Sequence, residues 1–137
     1  MESFQIRTRK NVELIEITAE VQQYLRRSGV QNGVIVLYVP HTTAAITVNE
    51  NADPTVIHDI EEDLKRLAPR RQPYYRHREG NSASHFMASL LGPSVSIPFE
   101  DGRLALGTWQ GIFFCEFDGP RTRRVQVEFL PAASQRL

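Results

Sequence analysis

The stretch Val34-Ile-Val-Leu-Tyr-Val-Pro-His-Thr-Thr-Ala-Ala-Ile-Thr-Val48 contains two apolar segments separated by Pro40. The first segment, Val34–Val39, is apolar on both faces, which is typical of a central strand covered on both sides. Pro40 has no N–H to donate and interrupts the hydrogen-bonding ladder. Because the pattern resumes over His41–Val48, the stretch predicts two successive strands and a core built on β-sheet.

Helical spacing of apolar residues, together with capping residues, predicts three helices around this stretch. The first is capped by Thr18 and ends at Ser28-Gly29, the second starts at Asp53-Pro54 and ends before Pro69, and the third is capped by Ser84 and covers His85–Leu91. His58 lies in the acidic part of the second helix and is assigned to the surface.

Alternating apolar and polar residues predict further strands at both ends of the chain. Phe4–Arg9 and Val12–Ile17 form either a hairpin or two successive strands. In the C-terminal half we expect hairpin turns at Asp101-Gly102 and Asp118-Gly119, and strands at Ser94–Pro98, Leu104–Leu106, Thr108–Phe117 and Arg123–Leu130. We therefore expect one α+β domain over residues 1–137, with antiparallel sheets and about three helices.

Charge and composition exclude several classes of function. The 137 residues include 16 basic and 16 acidic side chains, so no overall field attracts nucleic acid or an anionic membrane. A local basic rim at Arg70–Arg78 is expected to attract a small anion. The longest apolar run is far shorter than the roughly 20 residues that span a bilayer. The chain start lacks a secretory signal and Cys115 has no partner for an internal disulfide, so we expect a cytoplasmic protein.

The predicted strand His41–Val48 has two different faces. The two-residue period places apolar residues on a core face, and it places His41, Thr43, Ala45 and Thr47 on a small and polar face. We interpret the polar face as a ligand-facing wall, because such side chains offer donors and acceptors without filling space. A half-exposed strand whose threonines serve β-propensity is the equally open alternative.

A loop and the start of the third helix collect polar residues that suit a metal site or acid–base chemistry. We expect His85, in the first helical turn, to lie near the loop that carries His77, Glu79 and Asn81. Two imidazoles and a carboxylate form a common ligand set for a divalent transition metal, which His41 would complete. The same groups suit proton transfer near neutral pH, and solvated loop histidines are the third interpretation.

A further group of polar residues follows Leu106-Gly-Thr-Trp-Gln-Gly111. Two glycines around the only tryptophan allow a flat ligand to approach and stack on Trp109, and a core position is the alternative. Arg121, Arg123 and Arg124 can bind phosphate bidentately, whereas on an edge strand such charges prevent pairing with other chains. Cys115 is predicted to be a buried, unreactive thiol.

These groups together resemble the YjbQ-like family, which is commonly labelled secondary thiamine-phosphate synthase enzyme. The resemblance covers residues 4–130 and is carried by His41-Thr-Thr-Ala-Ala-Ile-Thr-Val-Asn-Glu-Asn-Ala-Asp53-Pro54, by His77 with Asn81 and His85, and by Gly102-Arg-Leu-Ala-Leu-Gly-Thr-Trp-Gln110 with Glu116. It implies a β-sandwich-like α+β domain that assembles as a homotrimer around a polar pocket. The other motif positions are Asn49, Asp53, Glu79 and Arg123.

The resemblance also implies a reaction, in which an aminopyrimidine-methyl diphosphate is joined to a thiazole phosphate, as a main or a minor activity, and pyrophosphate is released. The expected catalytic residues are His41, His77, Glu79 and His85. The expected residues for this small phosphorylated substrate are Thr43, Asn49, Asp53, Asn81, Trp109, Gln110, Arg121 and Arg123. A divalent metal, zinc or magnesium, is expected on His41, His77, His85 and Glu116. A trimeric module that binds a metal or a small ligand without catalysis is the alternative, and a purely structural trimer is the third hypothesis.

Overall fold

The computed structural model describes residues 1–133, and the last part of the predicted domain, residues 134–137, lies outside the described residues. The elements follow along the chain as β1 (Glu2–Arg7), β2 (Glu13–Glu16), α1 (Thr18–Ser28), β3 (Gly33–Tyr38), β4 (Ala44–Glu50), α2 (Pro54–Leu67), α3 (Ser82–Leu91), β5 (Ser94–Glu100), β6 (Arg103–Leu104), β7 (Gln110–Glu116) and β8 (Thr122–Pro131).

The strands form two antiparallel sheets. The large sheet has the strand order β1-β8-β3-β5-β6, and the small sheet has the order β2-β7-β4. The doubly apolar segment forms β3, the central strand of the large sheet, which pairs with β8 and with β5. The predicted α+β class with sandwich-like antiparallel sheets and three helices is confirmed.

The larger core lies between the two sheets. Ile35 and Leu37 of β3 meet Ile46 of β4 and Phe114 of β7, and all four side chains are buried. Leu25 of α1 belongs to the same core. Alternation along each strand thus sends every second side chain into the space between the sheets, where their burial stabilises the sandwich.

A second core fills the space between the other face of the small sheet and helices α2 and α3. Ala45 and Phe113 of the small sheet pack here with Leu64 of α2 and Met87 of α3. Ala45 is 0% exposed, so the predicted ligand-facing wall on this side of the strand is wrong. The reason is that small residues on a strand also allow a helix to pack closely. His41 precedes β4 and does not belong to the strand.

Two of the predicted strand connections cross between the sheets, and at Lys10-Asn11 the structure shows the alternative of two successive strands. β1 pairs with β8 and β2 pairs with β7, so the connection at Lys10-Asn11 leads from the large sheet to the small one. Asp118-Gly119 likewise joins β7 of the small sheet to β8 of the large sheet, and the hairpin predicted there is wrong. The hairpin at Asp101-Gly102 is confirmed, because both residues have positive φ and β5 pairs with β6.

Of the three residues predicted to cap the helices, only Asp53 caps its helix in the structure. Asp53 caps α2 as predicted, and its carboxylate accepts a hydrogen bond from the Thr55 amide at 2.9 Å. Thr18 lies inside α1, and its hydroxyl accepts from the amide of Ile112. Ser84 lies inside α3, which begins at Ser82, and its buried hydroxyl donates to the Phe117 carbonyl just after β7. Within residues 1–133 no helix combines the length and the apolar composition that a transmembrane span requires.

Candidate functional site

Two imidazole rings come together where the loop after α2 meets the first turn of α3. The ring centroids of His77 and His85 are 5.4 Å apart, with an edge-to-face angle of 84°. A tight turn positions His77, because the Gly80 amide donates to the His77 carbonyl and Gly80 adopts a positive φ. The sequence predicts that these two histidines lie near each other, and the structure brings them together.

The imidazole pair is open to ligands. His77, Ser82 and His85 line a cavity of about 260 Å³. The carboxylate of Glu79 lies 3.8 Å from Nε2 of His77, and the His77 side chain is 45% exposed. Among residues 1–133 neither ring is held by a hydrogen bond. These imidazoles are therefore free to bind a ligand or to transfer protons.

A second cavity, of about 440 Å³, adjoins the first. It shares His77 with the first cavity, and Arg70, Arg71 and Tyr75 also line it. Arg70 is partly engaged, because its Nη1 donates to Asn11 at 3.2 Å and its Nη2 lies 3.9 Å from a carboxylate oxygen of Asp118. This arrangement places guanidinium groups beside the imidazole pair, where they would attract a small anion.

Asn81 and Arg121, two predicted substrate-binding residues, share one carboxylate partner. The amide nitrogen Nδ2 of Asn81 donates to Asp118 at 2.8 Å, and Nη2 of Arg121 donates to the same oxygen at 3.1 Å. Asn81 is the buried residue that precedes α3, and its Oδ1 has no hydrogen-bond partner among residues 1–133. Asp118 thus ties the start of α3 to the connection between the sheets.

Glu116 and Arg123 form a buried ion pair that is 0% and 4% exposed, respectively. Nε of Arg123 donates to Oε1 of Glu116 at 2.8 Å, and Nη2 donates to Oε2. Thr8 and the amide of Asp118 supply the two remaining donors. Burial alone would raise the pKa of Glu116, but the hydrogen bonds from Arg123, Asp118 and Thr8 outweigh it and hold this pKa below its ordinary value.

Arg123 also binds Thr43, at 2.8 Å from the hydroxyl and 3.1 Å from the carbonyl oxygen. We call Thr8, Thr43, Glu116, Asp118 and Arg123 the Glu116 network. Both carboxylate oxygens of Glu116 are occupied, so in this arrangement it has no lone pair directed at a metal. Arg123 and Thr43 are likewise engaged with each other and not with open space.

His41 lies beside the Glu116 network and lines neither cavity. Its Nε2 accepts a hydrogen bond from the backbone N–H of Arg124 at 3.0 Å. Burial and the positive charges of Arg123 and Arg124 lower the pKa of His41. The structure thus brings together two of the three histidines that we expected in one cavity. Within residues 1–133 no three His, Cys, Asp or Glu side chains form a group that could hold a metal.

The remaining predicted site residues lie at the opposite end of the small sheet. Asn49 faces Gly111 across β4 and β7, next to Gln110, whose Oε1 accepts from the Gly107 amide at 2.8 Å. Trp109 is 63% exposed, which excludes the core alternative. Thr43 stands before the first residue of β4 and Asn49 near its end, a separation of roughly 20 Å at 3.3 Å per residue. Within one chain, Trp109 and the imidazole pair of His77 and His85 therefore lie at opposite ends of the small sheet.

The sequence gives no indication of Thr8, and it groups Asp118 and Arg124 with other polar residues without indicating their partners. Thr8 follows β1 and reaches Glu116 only because β1 lies next to β8, a pairing that no local pattern reveals. The sequence predicts a turn at Asp118, and the following Gly119-Pro120 carries no signal of its hydrogen-bonding role. Cys115 is buried as predicted, and burial raises its thiol pKa far above the ordinary range.

These features define a class of α+β protein in which two facing antiparallel sheets carry a histidine-bearing loop beside the third helix. The chain belongs to the YjbQ-like UPF0047 family, because the family model described as UPF0047 protein YjbQ-like matches residues 2–132. The family resemblance seen in the sequence is thereby confirmed.

Relatives and solved structures agree with this assignment. The chain is 47% identical over 130 residues to the UPF0047 protein YugU of Bacillus subtilis, covering 95% of this chain and 98% of the relative. It is 50% identical over 127 residues to the UPF0047 protein MJ1081 of Methanocaldococcus jannaschii, covering 93% and 91%. A YjbQ/UPF0047 family structure from Clostridium acetobutylicum superposes with a TM-score of 0.92 at 47% identity, covering 95% of this chain and all of that one.

Proposed function

We propose that the protein is an enzyme that acts on a small phosphorylated substrate, with His77 and His85 as its catalytic pair. The observation that carries the proposal is the pair itself, two accessible rings 5.4 Å apart at a cavity. Imidazole exchanges protons near neutral pH, so one ring can act as acid and the other as base. Glu79, close to His77, would orient that ring or stabilise its charged form.

The adjoining cavity supports a phosphorylated substrate. Arg70 and Arg71 line it, and a guanidinium binds phosphate oxygens through two parallel hydrogen bonds. The sequence reasoning gave this role to Arg121 and Arg123, but Arg123 is held by Glu116 and Arg121 by Asp118. Arg71, which has no side-chain partner among residues 1–133, is therefore the better candidate for receiving a departing diphosphate, with Arg70 beside it.

The reaction implied by the family resemblance, formation of thiamine phosphate, is our specific candidate. It requires cations at the departing diphosphate, a surface for the flat pyrimidine and exclusion of water. Trp109 would supply the flat surface, but it lies at the far end of the small sheet from His77. Both can act on one substrate only if a neighbouring subunit supplies Trp109.

We also propose a homotrimer, as the resemblance implies. Its support is the outer face of the large sheet, where Val36 and Tyr38 of the central strand point away from the core. α2 and α3 pack against the small sheet, and α1 packs against β6 and β7. Tyr38 is consequently 45% exposed, although the sequence of β3 is apolar on both faces. A second subunit would bury this face.

Light scattering tests the trimer. The wild-type protein should show three times the 15.6 kDa mass of the chain, and Val36→Lys should reduce that mass because a charge would be buried at the interface. Asp63→Lys, on the exposed side of α2, is the control and should leave the mass unchanged. A monomeric wild type would contradict the trimer, and a trimeric Val36→Lys would exclude this face.

We also propose that the imidazole pair binds a divalent metal, zinc or magnesium. The predicted set of four ligands does not fit one chain, since Nε2 of His41 faces the Arg124 amide and Glu116 is saturated. His77 and His85 would be the ligands that remain, and imidazole nitrogen favours zinc over magnesium. Elemental analysis of untagged protein tests this, and less than one equivalent of metal per site would contradict it.

The enzyme hypothesis is tested with His77→Ala and His85→Ala, with His58→Ala as the matched control. His58 is an exposed histidine of α2 that, among residues 1–133, pairs only with Asp59. With both substrates present, we expect the wild type and His58→Ala to release pyrophosphate and to form thiamine phosphate, measured by mass spectrometry. Both cavity variants should lose turnover.

Full turnover in both cavity variants would contradict the catalytic pair. If the wild type forms no product but its melting temperature rises with one of the substrates, the alternative of a binding module without catalysis is favoured.

A further inference from the structure

The loop between α2 and α3 presents Tyr75 and His77 to the same cavity. One turn of this loop ends at Tyr75, whose amide donates to the Gln72 carbonyl at 3.1 Å. Pro73 is the second residue of that turn, where the fixed φ of proline suits the common turn types. The next turn begins at His77. Only Arg76 separates the two turns, and both Tyr75 and His77 line the cavity of about 440 Å³.

Contacts within the protein hold the Tyr75 ring. The side chain is partly buried and packs against the second core, between the small sheet and helices α2 and α3. Its ring centroid lies 5.1 Å from that of Tyr74, and the two rings meet edge to face at 76°. A tyrosine side chain has only two torsions, so a ring with these contacts loses little further freedom when a ligand binds. The cavity thus has an aromatic surface that is in place before any ligand arrives.

The same cavity combines this ring with an imidazole and a cation. His77 and Arg71 line it together with Tyr75, and the Arg71 guanidinium has no side-chain partner within the described part of the chain. A volume of about 440 Å³ falls in the range of roughly 300–1,000 Å³ that is usual for small-molecule sites. A ligand that uses both the guanidinium and the aromatic surface carries a phosphate group and a flat ring.

We propose that Tyr75 is the ring-binding residue of this cavity, so that one subunit binds the aromatic ring of the substrate against Tyr75 and its phosphate groups at Arg71. The substrate class is then an aromatic ring joined to a phosphate or diphosphate. This assignment deepens the proposed function and rests on it, since it concerns the same substrate in the same cavity. It differs from the expectation for Trp109, because Tyr75 needs no neighbouring subunit to reach the ring.

A purely structural role for Tyr75 makes a different prediction. A side chain that only packs against the second core has to be large and apolar, and leucine and phenylalanine both meet this requirement. A ring-binding residue has to be aromatic. Tyr75→Leu therefore removes the ring-binding surface, whereas Tyr75→Phe retains it. Urea midpoints of both variants confirm that each remains folded.

The test is isothermal titration calorimetry of the whole chain with two probes, in the absence of the thiazole phosphate. The aminopyrimidine-methyl diphosphate carries a ring and a diphosphate, and inorganic pyrophosphate carries the diphosphate alone. We expect Tyr75→Leu to raise the Kd of the ring-bearing probe about tenfold and to leave the Kd of pyrophosphate within about twofold of the wild type. Tyr75→Phe should bind both probes like the wild type.

Two further variants locate the effect. Arg71→Gln should raise the Kd of both probes about tenfold, because it removes a charged hydrogen-bond donor to the diphosphate that they share. Tyr24→Leu is the matched control and should bind both probes like the wild type. Tyr24 is also partly buried and contacts an aromatic ring, that of Phe4 at 5.3 Å, but it belongs to α1 and lines neither cavity of the site.

Several results would overturn the inference. One is an unchanged Kd of the ring-bearing probe in Tyr75→Leu, and another is an equal loss of affinity for both probes in that variant. A loss in Tyr75→Phe as large as in Tyr75→Leu would exclude the aromatic contact. A loss in Trp109→Leu with none in Tyr75→Leu would assign the substrate ring to Trp109. A wild type that binds the ring-bearing probe no more tightly than pyrophosphate would also contradict it.

These titrations do not measure turnover, so their results are independent of the catalytic proposal. If His77→Ala abolishes turnover while Tyr75→Leu binds the ring-bearing probe normally, this inference fails and the proposed function stands. If the ring-bearing probe binds through Tyr75 but the wild type forms no product, the inference stands and the proposed reaction fails.

Discussion

The protein has two polar regions at the same end of the small sheet, and they differ in how their hydrogen-bonding capacity is used. In the Glu116 network, four donors saturate one carboxylate, and Arg123 is almost completely buried. At His77 and His85, two rings face a cavity, and no described residue holds them by a hydrogen bond.

This difference distinguishes polar residues with a structural role from polar residues that are available for function. A buried ion pair whose partners are all satisfied holds the two sheets in register, because removal of either partner leaves an uncompensated charge. Accessible rings with unused nitrogens contribute little to folding and are available for a ligand. The residue types alone do not distinguish the two cases, since both regions contain groups that are common in active sites.

The largest expected effect comes from breaking the Glu116 network. Glu116→Ala leaves Arg123 buried without its carboxylate, and loss of one partner of a buried pair costs about 3–5 kcal/mol of unfolding free energy. Urea denaturation of the variant measures this loss. The double variant Glu116→Leu/Arg123→Met is the control, and it should recover a large part of the stability because no charge remains buried. A loss below about 1 kcal/mol in Glu116→Ala would show that the network does not hold the fold.

A smaller effect is expected from acid. The pKa of Glu116 is lower in the folded protein than its ordinary value, so its stabilising contribution is complete above the unfolded pKa of about 4.3 and is lost as pH falls through the folded pKa. We therefore expect the unfolding free energy of the wild type to fall more steeply below pH 4.3 than that of Glu116→Gln, which has no carboxyl group at this position. Parallel pH profiles in urea would contradict the lowered pKa.

The smallest effect is expected from a thiol reagent. Cys115 precedes Glu116 in β7, it is fully buried, and burial raises the pKa of its thiol. The native protein should react with Ellman's reagent only as fast as it unfolds, whereas protein in guanidinium should release one equivalent of chromophore at once. Rapid labelling of the native protein would show that this region is open.

Local patterns predicted the elements well where each element depends on its own residues. The doubly apolar Val34–Val39 segment became the central strand of the large sheet, and Asp53 with Pro54 began α2 as capping chemistry requires. The closeness of His77 and His85 was also predictable, because only a short loop and one helical turn separate them.

Arrangements that depend on distant pairings were not predictable in the same way. Whether Asp118-Gly119 forms a hairpin or a crossing depends on which sheet β8 joins, and no residue of the turn carries that information. The role of Glu116 depends on Thr8, which is 108 residues away in the chain. A sequence does not show which polar side chains have hydrogen-bond partners in the folded protein. The local sequence around His41 and Glu116 therefore gave no way to check the expectation that they join a metal site.

The most direct measurement compares pyrophosphate release and the urea midpoint in the same preparations of wild type, His77→Ala and Glu116→Gln. We expect His77→Ala to keep its midpoint, with an unfolding free energy within about 0.5 kcal/mol of the wild type, while releasing no pyrophosphate. We expect Glu116→Gln to lower the midpoint. Full turnover in His77→Ala, or a midpoint lowered as far as in Glu116→Gln, would contradict the division between an open catalytic pair and a closed structural network.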